Sequence, residues 1–190
     1  MSIFYRGAGI RTWWHTNDAR TSGFSPHMGG MEPTHDRLIE HVTRGTTSSP
    51  YVSLSRSFGV ARDYALVGAA VANQSNPAYV YEIELTEPLP RGLLLLDPVL
   101  EVARNAPAPT TSPHYQHDGS MDFLMGIIDP QTYQHFLRDP APQPPGSTGT
   151  LRAPALSREL EAIVRALRDA EILAVGTIPM SCISRKIPVF

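Results

Sequence analysis

Two periodicities divide this chain into short segments. Apolar and polar residues alternate through Ala78–Leu85 (AYVYEIEL), the clearest strand pattern in the sequence, which stops before Glu87-Pro88-Leu89-Pro90. Tyr51–Ser55 alternates too: Val52 and Leu54 share one face, Ser53 and Ser55 the other. Residues 2–10 read as a strand carrying Ile3, Phe4 and Tyr5 and closing at the Gly7-Ala8-Gly9 turn. Further short strands are predicted at 93–96, at Glu171–Val175 and at 181–190.

Helical spacing marks three other stretches. Thr34 is placed to cap a helix carrying Arg37, Leu38, His41 and Val42, ending near Gly45. An alanine-rich pattern through Val60, Ala61, Tyr64, Ala65, Val67 and Val71 predicts a helix over 58–72. Ser157 is placed to cap a third helix, with Leu160, Ile163, Val164 and Leu167 as its apolar stripe and an end near Asp169. Residues 15–33 read as a long surface loop and 46–50 as a polar turn. The Pro-rich stretches 105–118 and 139–155 read as insertions within one domain, with short helices predicted at 121–128 and 131–137. No internal repeat is visible. The plan is one α+β domain over residues 1–190.

Composition narrows the class. A chain of 190 residues suffices for one well-buried domain. The apolar run 93–96 is cut by Asp97-Pro98, far short of a bilayer span, and no basic-then-apolar leader opens the sequence. These features predict no membrane partner, and a location that is cytoplasmic or, for a translocated protein, reached without a classical signal peptide. Cys182 is the sole cysteine, which excludes an internal disulfide and a CxxC metal site; it is expected as a small buried apolar residue. The net charge of −2 and the lack of a basic run do not favour nucleic acid as a partner. Fifteen of the sixteen basic residues are arginine and only Lys186 is lysine. A GC-rich genome accounts for this, as does delivery into a foreign cell where few lysines mean few ubiquitination sites.

Three polar groups interrupt the apolar strands, where an unpaired charge is expensive. Arg6 follows Phe4-Tyr5, and its guanidinium fork matches a pyrophosphate. The Ser53 and Ser55 hydroxyls, on one face, can hold a carboxylate and contact a neutral amide. Glu171 opens an apolar strand directly after a helix. A carboxylate there can accept from a ribose 2′-hydroxyl as positive charge grows on the sugar. Asp169, two positions earlier, can face the same side. Glu82 and Glu84 form a competing pair, assigned to the solvent face of their strand. His114 with His117, and His35 with His41, are the best metal-ligand pairs; neither has a third ligand at hand, so no metal is expected.

The order of an arginine strand, a serine strand with a following helix, and a glutamate strand resembles the ADP-ribosyltransferase superfamily, in its cholera/pertussis-toxin-like Arg-Ser-Glu branch. Phe4-Tyr5-Arg6-Gly7 is similar to the first motif, the run SPYVSLSRSFGVARDYA to the serine motif and its helix, AYVYEIEL to the strand after it, and AEILAVGTIPMSCI to the glutamate motif. The resemblance covers about 55 residues in order. It implies a fold of short strands in two packed sheets with flanking helices, and NAD as substrate. Carried over, Arg6 would bind NAD phosphates and ribose, Ser53 would orient Glu171 and touch the nicotinamide pocket, and Ser55 would support it. Glu171 would be the catalytic residue, with Phe58 or Tyr64 stacking on nicotinamide. Two positions depart from the pattern. The usual Ser-Thr-Ser is Ser-Leu-Ser, and Asp169, at the target-recognition position, replaces the usual Glu or Gln. Residues 100–155 have no counterpart.

The resemblance implies a mono-ADP-ribosyltransferase of the glycosyltransferase class acting on a protein acceptor. Such a chain fits a bacterial effector or toxin, with an immunity or antitoxin protein as a further partner. The alternatives are an NAD glycohydrolase, a nucleic-acid-targeting ADP-ribosyltransferase and a non-catalytic NAD-binding domain.

Overall fold

The computed structural model describes residues 1–45, 47–67, 70–105 and 158–190. The strands are β1 (Ser2–Ala8), β2 (Tyr51–Ser55), β3 (Ala78–Leu85), β4 (Leu94–Leu96), β5 (Glu171–Val175) and β6 (Ile183–Val189). The helices are α1 (Trp13–Thr16), α2 (Ala19–Ser22), α3 (His35–Arg44), α4 (Phe58–Leu66), α5 (Pro98–Asn105) and α6 (Arg158–Arg168). The architecture is α+β, as expected. All six strands join one antiparallel sheet in the order β4-β5-β2-β1-β3-β6.

That sheet has a weak seam. β1 is matched to β3 along its whole length, from Ser2↔Leu85 to Ala8↔Tyr79, and β2 to β5 from Tyr51↔Val175 to Ser55↔Glu171. Between β1 and β2 the register holds one pair, Tyr5↔Ser55. Continued, it would set Gly7 opposite Ser53, but the strands have parted by then. The hydrogen-bonded sheet therefore consists of two three-stranded halves that diverge from a single junction.

Alternation assigns each strand face to a different core. Val52, Leu54, Ile172 and Ala174 join Phe4, Tyr81, Ile83 and the fully buried Phe24 and Ile178 on one side. The opposite side of the β2–β5 half is covered by α3, α5 and α6, through Leu38, Ile39, Val102, Ala103, Ala162, Ile163 and Ala166. The opposite side of the β1–β3 half is covered by α4, where Ala61 and Ala65 pack on Ala78, Val80 and Val189. Alanine at the contact positions of α4 lets helix and sheet approach closely. At Gly7 the approach is tightest: a Cβ there would run into the Ala61 carbonyl oxygen, so only glycine fits.

Several elements differ from expectation. Residues 15–33 are not one open loop. They hold α2, and Phe24 pairs with Ile178 across the chain. Helix α4 stops at Leu66 rather than 72; Val67 and Val71 point to solvent, and the Asn73 side chain accepts from the Ser75 and Asn76 amides to turn the chain. Helix α5 was not anticipated, although Asp97 caps it through the Val99 and Leu100 amides and Pro98 fills its first position. In α6 the buried face is Ala162, Ile163 and Ala166, whereas Val164 and Leu167 of the expected stripe are 40% and 53% exposed. Small residues there allow α3 and α5 close against α6. Cys182 is half-buried beside the first core. Glu82, on β3 inside the edge strand β6, pairs with Arg185 and Ser184, and its side chain is 14% exposed, more enclosed than the solvent face expected for it. The expectations for Ser157, for 106–118 and 139–155, for the helices at 121–128 and 131–137, and for His114 and His117 lie outside the described residues. Among the described residues no helix is long and apolar enough to cross a membrane.

The contact at Gly7 generates a test. Gly7→Ala should reduce stability by about 2 kcal/mol or more, read as a lower urea midpoint, because backbone rather than a flexible side chain stands in the way. An unchanged midpoint would show that α4 does not sit against β1 as described.

Candidate active site

The seam between β1 and β2 opens into a cleft of about 330 Å³, within the range of small-molecule sites. Its lining includes Arg6 from β1, His41 from α3, Ser53 and Ser55 from β2, Tyr64 from α4, and Asp169 and Glu171 at the start of β5. Arg6 shares its strand face with Phe4 and Ala8, and its guanidinium lies 5.7 Å from the centre of the Phe24 ring. It crosses the seam there and donates from Nη1 to the Ser53 carbonyl at 2.5 Å. The guanidinium thus meets the carbonyl at the point where the β1–β2 ladder fails. Its Nε is buried and has no hydrogen-bond partner among the described residues.

The carboxylate is positioned by strain. Residues 169–171 turn directly from α6 into β5, and Ala170 adopts φ +46, a left-handed conformation that disfavours a side chain. The Ser55 hydroxyl donates to the Asp169 carbonyl at 2.7 Å and accepts from the Ser57 amide at 3.0 Å. That hydroxyl ties the turn before Glu171 to the turn before α4. Ser53↔Leu173 and Ser55↔Glu171 are register pairs, so both serines lie beside the start of β5.

Histidine 41 completes the cluster. Its Nε2 lies 2.7 Å from the Ser53 hydroxyl and 3.8 Å from Glu171 Oε1, and its Nδ1 lies 2.6 Å from the Ser49 hydroxyl. Its ring is edge-on to Tyr51.

Burial dominates the electrostatics. It pushes the Glu171 carboxyl up to about 7; the Ser53 hydroxyl, Arg6 and Arg168 oppose the rise and Asp169 adds to it. Burial lowers Arg6 to about 10, with Glu171 countering. Burial, reinforced by the Arg6 charge, lowers His41 to about 3, so the imidazole is neutral at physiological pH. The site therefore holds one firm positive charge and a carboxyl poised to titrate near neutrality. At the mouth, burial works to raise Asp169. Arg168, at 2.7 Å to each oxygen, and the Tyr64 hydroxyl at 2.6 Å nevertheless hold it below its ordinary value.

The structure brings Arg6, Ser53, Ser55, Tyr64, Asp169 and Glu171 to this one cleft. Phe58 stands apart from that lining: it packs edge-on against Tyr5 at 5.6 Å, and Tyr5 is the aromatic that reaches the cleft from β1. Tyr64 is at the mouth, engaged with Asp169 and Arg168, rather than on the floor. Sequence reasoning missed His41, taken there as one of a helix's spaced positions and as half of a poor metal pair. The available signal was a histidine on the buried face of an amphipathic helix ten residues before the serine strand. No group of three metal-ligating side chains exists among the described residues. Comparison with protein-family models and with curated proteins finds no match to this chain.

A buried carboxyl raised to about 7 from an ordinary 4.5 makes the folded state bind its proton more tightly than the unfolded state. The associated stability is complete below pH 4.5 and disappears as pH rises through 7. Glu171→Gln should therefore stabilise the protein at pH 8 by up to about 3 kcal/mol, with the gain shrinking toward pH 4.5. Urea denaturation across that range measures it; a pH-independent difference would refute the buried placement of Glu171.

Proposed function

We propose that the chain is an NAD-dependent ADP-ribosyltransferase that cleaves the nicotinamide–ribose bond and passes ADP-ribose to an acceptor. The observation that carries the reading is the meeting of Arg6, Ser53 and Glu171, from three strands spread along the chain, at one seam in the sheet. The two-sheet architecture of that superfamily belongs to the same reading. It is supported by the divergence of the two half-sheets from a single pair.

Each residue has a task that its surroundings suit. Arg6 supplies a buried cation in the cleft lining for the phosphates. Glu171, when ionised, accepts a hydrogen bond from the ribose 2′-hydroxyl. That bond strengthens as the C1′–N bond breaks and positive charge accumulates on the ring. Nicotinamide departs with the bonding electrons, and the acceptor nucleophile forms the new bond to C1′ and releases its proton. Ser53 and His41 orient the carboxylate. The protein acceptor, and the effector or toxin role with its immunity or antitoxin partner, follow from the reading and stand with it. With water as acceptor the same site would act as a glycohydrolase.

The 2.7 Å contact of Ser53 with His41 also suggests a serine hydrolase, and the geometry argues against it. In a nucleophile triad the carboxylate supports the imidazole through the nitrogen facing away from serine. Here that nitrogen faces Ser49, the carboxylate lies on the serine side, and an imidazole depressed to about 3 is a poor general base.

Incubation with NAD should release nicotinamide, and NAD labelled in its adenylate half should mark protein in a lysate. Glu171→Ala should lower release about a hundredfold or more while NAD binding falls far less. For the wild type, kcat/KM should rise with pH to a plateau through a midpoint near 7, the value of the free enzyme's carboxyl. Full turnover in Glu171→Ala, or no release by the wild type, would refute the assignment.

A further inference from the structure

We propose that Ser49, outside the cleft, is a positioning residue that fixes the tautomer of His41 and so aims the Ser53 hydroxyl proton at Glu171. The argument follows protons along one chain of hydrogen bonds. The Tyr51 amide can only donate, and it donates to Ser49 Oγ at 3.1 Å. Ser49 is 3% exposed, and its hydroxyl has two partners among the described residues, that amide and His41 Nδ1. Among the described residues the hydroxyl proton has one place to go, the imidazole Nδ1 at 2.6 Å.

Nδ1 is therefore the acceptor nitrogen of a neutral ring, and Nε2 carries the hydrogen. Nε2–H donates to Ser53 Oγ at 2.7 Å. With its oxygen so engaged, Ser53 keeps its own proton for Glu171, whose Oε1 at 3.8 Å from Nε2 is beyond direct hydrogen-bond reach of the ring. The opposite tautomer would strand the Ser49 proton in a buried site and consume the Ser53 proton on Nε2. The Ser53 proton would then no longer be available to Glu171. The charges that face Glu171 are Arg6 from β1 and Asp169 with Arg168 from the α6–β5 turn, with neutral His41 from α3. None of these is altered by a change at Ser49.

Long-range proton–nitrogen spectra of the imidazole, assigned with His41→Gln, and a carbon-detected titration of the Glu171 carboxyl test this on the intact protein. The wild type should carry its proton on Nε2. In Ser49→Ala the Nδ1–H form should gain population and the Glu171 midpoint should rise by about one pH unit, the loss of one hydrogen bond to a charged group. Ser49→Thr, which keeps a hydroxyl, should restore both. If Ser49→Ala does not fold, Ser49→Cys, a near-isosteric and weaker donor, should move both readouts the same way by less. A proton on Nδ1 in the wild type overturns the inference, as does a tautomer shift that leaves the Glu171 midpoint unmoved. The spectroscopic arms do not depend on turnover. The acid limb of nicotinamide release rests on the proposed function and should move with the carboxyl. If no variant releases nicotinamide while the spectra behave as expected, the function reading fails and the proton order stands.

Discussion

The structure depends on the parting of β1 from β2 after one register pair. A continuous ladder would have placed Gly7 opposite Ser53 and sealed the sheet. Instead the Ser53 carbonyl takes its hydrogen bond from the Arg6 guanidinium, and Gly7 lies against the backbone of α4. One backbone position thus exchanges a ladder bond for a charged side chain, and the opening it leaves is the cleft. Buried carbonyls require partners, so the arginine is as much a part of the sheet as of the site.

Burial at that seam sets the chemistry of the groups around it. The same low-dielectric surroundings push Glu171 up, Arg6 down and His41 down. Arg6 remains charged because its shift still leaves it far above neutrality, and His41 becomes neutral. Glu171 is brought to the edge of ionisation. Water around the site would have kept the carboxylate ionised and stable. The strained Ala170 turn and the hydroxyl of Ser55 hold the carboxyl where it is destabilised, a pattern seen where a site's geometry is set at the expense of local stability.

Much of this was legible in the residues themselves. The alternation of β2, β3 and β5 fixed which side chains share a face, and that placed Ser53, Ser55 and Glu171 together once the strands paired. The Asx turn at Asn73 and the Asp97-Pro98 cap are local signals in the residues themselves: the first turns the chain where alanine-rich spacing alone would carry α4 on to 72, and the second starts α5. The stripe of α6 misled for a different reason. Leu167 and Val164 are the more hydrophobic residues, but close packing against α3 and α5 selected the small face, Ala162 and Ala166.

By itself the sequence determined the α+β plan, the three polar interruptions in apolar strands and their order, because alternation, capping and turn chemistry act over a few residues. Only the tertiary structure decided that β1 and β2 part after Tyr5↔Ser55, that Arg6 reaches across the gap, that Phe58 stays behind Tyr5, and that His41 joins the cluster. Those outcomes depend on how two half-sheets and a helix face are set against one another. That is a matter of non-local packing, which no short-range pattern in the chain encodes.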